Sequence, residues 1–202
     1  MADQRRWCYM EDAMKSPTPH SLHPVGLVDW LKQSERSYSL VIGATCGCHI
    51  SQLGRNVCEY LNATASSIGG HCRAFDPDEI RLLAGDPYWR KAIFAAAARK
   101  GIDLDSGCDY ECMVRAIAAL GGAVLSGAWA IESTAGMDRV FRVALSHCEL
   151  CCPPSSLHLD PDGYSTEGLA KMIAKRYMHW IEDHENGRRQ RVPHDSSMAM
   201  LL

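Results

Sequence analysis

Apolar positions along this chain change their period several times, and each change predicts an element. Residues 39–43 are a short apolar run rich in β-branched side chains, broken at Gly43 and Gly47. From Ser51 the apolar residues Leu53, Val57, Tyr60 and Leu61 recur at helical spacing. A run of the first kind reads as a buried strand and a spacing of the second kind as an amphipathic helix. Strand, glycine turn and helix together read as the opening of a Rossmann-like βαβ unit. In open α/β sheets ligands sit where the strand ends and the helix begins. Residues 70–75 predict a second strand, closed by the turn Asp76-Pro77-Asp78.

The same reading extends in both directions. Residues 1–24, with Pro17, Pro19 and Pro24, form an irregular leader. Val25, Val28 and Leu31, with Trp30 near them, mark a short amphipathic helix over 25–36. After the second strand a helix runs to about Ala84, with Asp78 and Glu79 where a helix start favours acids. Asp86 then caps a helix over 87–100, with Pro87 at its first position. Another helix over 105–120 stops at Gly121 and Gly122. The apolar run 123–131 fits strand or helix by period, and its alanines favour helix. Residues 137–150 read as helical, ended by Pro153 and Pro154, and 157–159 as a late strand. Leu169, Met172, Ile173, Arg176, Tyr177 and Trp180 make one stripe on a long helix over 165–185, and 188–202 read as a frayed tail. The organisation expected is one α/β domain over 25–187, a Rossmann-like parallel sheet flanked by helices.

Composition narrows the function classes. At 202 residues and 47% apolar content the chain can bury one sizeable core. A net charge of −3 excludes an overall basic nucleic-acid binder and leaves a local basic face open. No run approaches the ~18 apolar residues of a membrane span. The first residues carry charges with no apolar core behind them, unlike a secretory signal, so the expected location is cytoplasmic and no membrane partner is expected.

The 10 cysteines read first as small buried apolar residues. A zinc module without catalysis is an alternative, because Cys46, Cys48 and His49 could pool ligands with His147, Cys148, Cys151 and Cys152. Their spacing does not make a two-pair finger, and no metal is expected. Cys46 or Cys48, at a helix start that lowers a thiol's pKa, could instead attack a substrate with His147 or His158 as base. The segment at Cys108 is faintly similar to the helix start of a cysteine peptidase.

The turn after the first strand lacks the Gly-Lys-Ser/Thr of a nucleoside triphosphatase. Gly43, Gly47 and Gly54 are loosely spaced like a dinucleotide-binding turn, which makes an NAD(P)-binding protein the runner-up. Against it, Cys48 and His49 put bulk where pyrophosphate approaches the backbone, and Asp76 lies further along than a ribose-binding acid.

Read together, several motifs resemble the tRNA-dependent cyclodipeptide synthases. Ile42-Gly-Ala-Thr45-x-Gly47 is similar to that family's first-strand motif, with Thr45 where the family carries its serine nucleophile. Asp78-Glu79-Ile80 with Leu82 and Ala84, Trp89-Arg90, Asp103 and Glu111-Cys-Met-Val-Arg-Ala116 follow in the family's order. The likeness covers about 40–154 and is nearest to the compact fungal branch that makes arginine-containing cyclodipeptides. It implies a fold like the class I aminoacyl-tRNA synthetases, two aminoacyl-tRNAs as substrates, arginyl-tRNA among them, and no cofactor. It also implies that Thr45 attacks the aminoacyl ester and forms an aminoacyl-enzyme. Backbone at Gly43 and Gly47 would bind substrate and its oxyanion. Glu149, ahead of Pro153, matches the family's catalytic acid and would move a proton. Asp103 and Glu132 are the further acids available to an arginine side chain. Arg90, Lys91, Arg99 and Lys100 would meet tRNA phosphates.

Overall fold

The structure, a computed structural model, describes residues 26–32, 38–44, 49–64, 71–102, 110–147 and 156–186. Five strands, β1 (Ser39–Ala44), β2 (Arg73–Phe75), β3 (Ala123–Ser126), β4 (Val140–Leu145) and β5 (Leu157–Leu159), form one all-parallel sheet in the order β2-β3-β1-β4-β5. Helices cover both faces, so the fold is Rossmann-like α/β. β1 is central and pairs along its whole length with β4, from Ser39 opposite Val140 to Ala44 opposite Leu145. Its other neighbour is β3, not β2. β2 stands at the edge beyond β3, which distinguishes the order from the dinucleotide-binding one, where the second strand lies beside the first.

Alternation along β1 assigns the two faces. Leu40 and Ile42 join Val124, Val143 and Leu145 in a core with α2 (Ile50–Thr64) and α7 (Thr166–Glu185). Val41 packs on the opposite side with α1 (Leu27–Lys32), α3 (Pro77–Gly85), α4 (Pro87–Arg99), α5 (Tyr110–Leu120) and α6 (Ala128–Ser133). Strands buried on both faces are what a parallel sheet requires. Each fully buried Leu or Ile of these layers contributes roughly 1.5–3 kcal/mol over its exposed state. The chain moves outward from β1 to β2 over one face and returns from β2 through β3 to β4 over the other. Opposite directions on opposite faces give crossovers of a single hand.

Caps fix several boundaries. The Asp76 carboxylate accepts from the Asp78 and Glu79 N–H groups at the start of α3. Asp86 ends that helix and begins α4, its carboxylate accepting from Tyr88 and Trp89. Ser165 caps α7 through Gly168 N–H. These match the sequence reading, as do β1, β5 and the long last helix.

Three readings are corrected. The run 123–131 is not one helix: it is β3, then Gly127 at φ 154, then α6. Gly127 N–H bonds to Ile42 O at 2.9 Å, continuing the β1 ladder before the chain turns, in a conformation that favours glycine. The segment 137–150 is not a helix either, because 140–145 is strand β4 between β1 and β5. In α1 the buried residues are Leu27 and Trp30, while Val28 is exposed; Trp30 Nε1 donates to Gly122 O at 3.1 Å. Among the described residues no helix is long and apolar enough to cross a membrane. The leader 1–24 and the tail 188–202 lie outside the described residues.

Candidate functional site

After β1 the chain crosses toward β3 and β2, and after β4 it proceeds to β5. The C-terminal ends of β1 and β4 are therefore where connections diverge, the place where open α/β sheets bind ligands. Ala44 and Leu145 are register partners at that edge. From β2 to β5 it presents Asp76, Ser126 with Gly127, Ala44, Ser146 with His147, and Asp160.

Toward β2 the edge is closed by packing and polar contacts. A Cβ at Gly54 would lie 2.0 Å from Ser126 Oγ, so the bare backbone of α2 lies directly on the end of β3. Arg55 Nη1 stands 3.5 Å from Asp76 Oδ2, which links α2 to the cap of α3. A Cβ at Gly127 would sit 3.4 Å from Pro77 Cγ and 3.7 Å from the Tyr110 hydroxyl. Burial pushes the Tyr110 phenol up to about 12, with Arg81 opposing and the carboxylates of Asp76 and Asp78 adding to the rise.

Toward β5, exposed His147 Nδ1 lies 3.3 Å from Asp160 Oδ1 and 3.4 Å from Asp162 Oδ2. The Asp162 backbone N–H, hydrogen-bonded to Asp160, holds that carboxyl below the usual carboxylate range, and His147 adds to the effect. One nitrogen and two carboxylate oxygens within 4.8 Å of one another have the donor chemistry of a divalent-cation site, on an exposed surface where such groups also occur without one. His158 Nε2 donates to Ser146 O at 2.8 Å, which ties β5 to the end of β4 and engages one of its two ring nitrogens.

The residues expected to carry chemistry are distributed unevenly. Thr45, Cys46, Gly47, Cys48, Asp103, Cys108, Cys148, Glu149, Cys151 and Cys152 lie outside the described residues. In sequence Thr45 follows Ala44, and Glu149 comes two residues after His147. Gly43 serves packing: a Cβ there would come within 2.4 Å of Ile131 Cδ1, so its bareness admits α6 against β1. Glu132 is exposed on α6, not enclosed by apolar groups.

The four cations do not form one patch. Arg90 and Lys91 sit near the start of α4, and Arg99 and Lys100 about 13 Å further along its axis by helical rise. Lys100 Nζ donates to Leu120 O, just ahead of β3, so that end of α4 lies at the edge opposite the candidate site. Burial lowers the Lys100 pKa, and nearby Arg139 lowers it further.

Sequence reading missed the meeting of His147 with Asp160 and Asp162, and of Ser126 with Gly54. The signal for the first was the turn at 160–163; nothing local pairs it with His147.

No family model matches the chain, and no significant match exists among curated proteins or solved structures.

Proposed function

We propose that the chain binds a phosphate-bearing small molecule of the nucleotide class where β1 passes into α2, without metal-assisted phosphoryl transfer. The observation that carries this reading is the placement of α2. This helix of 15 residues begins beyond the end of the central strand, has no acid in its first turn, and is preceded by exposed His49. The first N–H groups of a helix and its dipole favour an anion there. Strand, glycine-bearing segment and helix are also the setting a phosphate-cradling loop requires.

The parts needed for hydrolysis differ. Aligned on Gly43, Cys48 stands where such loops carry their second glycine, His49 where they carry lysine and Ile50 where they carry the metal-holding hydroxyl, and β3 ends in Ser126 instead of an acid. Binding of the phosphates with no call for magnesium follows from that set. Asp76, engaged as a helix cap just beyond the end of the edge strand β2, is poorly suited to a nicotinamide ribose.

Thermal unfolding with ATP, ADP, adenosine or inorganic phosphate, each in magnesium or in chelator, tests the reading. A ligand present at 100 times its Kd adds about 2.7 kcal/mol to stability. Stabilisation by the nucleotides in chelator, absent with adenosine and reduced by His49→Ala, is the expected result. No shift with any phosphate compound at millimolar concentration sinks it.

A second reading is the cyclodipeptide synthase, favoured by the Ala44–Leu145 register together with the Rossmann-like sheet. Thr45 and Glu149 follow two strands that end side by side, about 4.8 Å apart. Thr45 would attack the aminoacyl ester and Glu149 would move the proton of the second amine. The separation of Arg99 and Lys100 from this edge, and the exposure of Glu132, weaken the roles those residues would have. A new cyclic dipeptide in extracts of a bacterium expressing the chain, lost on Thr45→Ala, is the result this reading requires. Soluble protein without any such product rejects it.

A further inference from the structure

We infer that Cys58 and Cys72 are a redox-sensitive pair that closes to an intramolecular disulfide between α2 and the entry to β2. Both are thiols, and their sulfurs stand 3.5 Å apart. Cys58 is buried on α2, 7% exposed, and Cys72 is partly exposed immediately ahead of Arg73.

Asn62 holds the two in this arrangement. One helical turn beyond Cys58, its carboxamide accepts from Cys72 N–H at 2.7 Å and donates to Cys72 O at 3.0 Å. Both backbone polar groups of Cys72 are thus fastened to α2. The same Oδ1 accepts from Cys72 Sγ at 3.2 Å, the same Nδ2 donates to Cys58 Sγ at 3.6 Å, and Cys58 Sγ donates to Cys72 O at 3.0 Å. A disulfide bond is about 2.05 Å long, so closure asks the sulfurs to approach by about 1.5 Å, within reach of side-chain rotation.

With glutathione disulfide as oxidant the chemistry balances. The more accessible Cys72 loses its proton, and its thiolate attacks one glutathione sulfur, expelling glutathione thiolate and forming a mixed disulfide. The Cys58 thiolate then attacks the Cys72 sulfur and expels the second glutathione. Two protein thiols lose two electrons and two protons, and one glutathione disulfide becomes two glutathione thiols. The bond fastens the later turns of α2 to the edge strand and shortens the unfolded chain's freedom between 58 and 72.

Both cysteines lie on one tryptic peptide, 56–73, which contains no other cysteine and no internal Lys or Arg. The full chain is equilibrated across a series of glutathione ratios, quenched with acid, unfolded in urea and blocked there with iodoacetamide, and digested without reductant. The expected result is that peptide 56–73 passes from doubly alkylated to unalkylated and lighter by two hydrogen atoms. Tm should rise by several degrees over the same ratios and return with dithiothreitol. In Cys58→Ser the glutathione adduct on Cys72 should persist unresolved. Double alkylation at every ratio overturns the inference, as does a wild-type adduct at Cys72 that never resolves, or pairing of either cysteine with another. The wild-type peptide decides the matter even if the variant does not fold.

Discussion

Gly54 on α2 and Ser126 at the end of β3 share space that has no room for a methyl group. A Cβ at 54 would stand 2.0 Å from Ser126 Oγ but 3.4 Å from Ser126 Cβ. The conflict lies with the hydroxyl alone, in a residue only 1% exposed. Gly54→Ala is therefore expected to destabilise by about 1–3 kcal/mol, despite alanine's better helix propensity. Adding Ser126→Ala should recover most of the loss, giving a coupling well beyond additivity. Urea unfolding of the four proteins measures it. Additive losses would mean that the helix already stands off from the strand.

Arg142 explains why β4 was hard to read. At a position aligned with Val41 in the core of the sheet, a sequence offers an arginine, which suggests a solvent-facing helix more than a strand. Its guanidinium is buried and donates to Thr134 O, to Met137 O at 2.9 Å and to Thr134 Oγ1 at 3.3 Å, satisfying carbonyls of the turn after α6. What makes 140–145 a strand is pairing with β1 and β5, residues about 100 positions earlier and 14 later, and local period carries none of that. β3 fails for a related reason: four residues all buried show no alternation. By contrast β1, the capped helices and α7 were legible, because turn chemistry, caps and a long stripe are local signals. At the candidate site the strand-to-helix junction was legible for the same reason. The His147–Asp160–Asp162 cluster was not, since it exists only because β4 and β5 are neighbours.

The same arginine gives a stability prediction. Arg142→Leu removes the guanidinium from the Thr134 and Met137 carbonyls, which keep the backbone N–H groups of Met137 and Val140, so what is lost is hydrogen bonding to a charged donor, about 1.5–3 kcal/mol. A drop in Tm of roughly 2–4 °C per kcal/mol follows for a chain of this size. Arg142→Lys, which keeps a charge but not the fork, should fall between. Wild-type stability in the leucine variant would show that the turn holds without the guanidinium.

Arg73 and Glu79 form a partly buried ion pair in which burial outweighs attraction. The Glu79 carboxyl lies above the usual carboxylate range, chiefly by desolvation, although Arg73 opposes the shift through charge and a hydrogen bond. A raised acid favours the folded state fully at low pH, and that contribution is lost as pH rises through the raised value. Arg73→Met removes the opposing charge and pushes Glu79 higher. The variant should therefore lose more stability relative to wild type at about pH 7 than at about pH 4, where an ordinary glutamate is already half protonated. Glu79→Gln in the same background should erase that difference. Equal losses at both pH values would place the role of Arg73 in packing, not in charge.

Tyr110 is the clearest pH probe near the site. Its phenol, pushed up to about 12 by burial, lies beside Gly127, where β3 ends, and its ring faces the Arg81 guanidinium at 6.0 Å. The unfolded chain ionises an ordinary tyrosine near pH 10. The folded state's preference for the neutral phenol is thus fully present below about pH 10 and is lost as pH climbs toward 12. Tyr110→Phe should accordingly show a shallower decline of stability across that alkaline window. Its phenolate absorbance should track wild type up to about pH 11 and diverge only above, or when the protein unfolds. If the two titrations already separate at about pH 10, Tyr110 ionises as a solvated phenol does. The packing of α5 against the end of β3 is then looser than the contact at Gly127 requires.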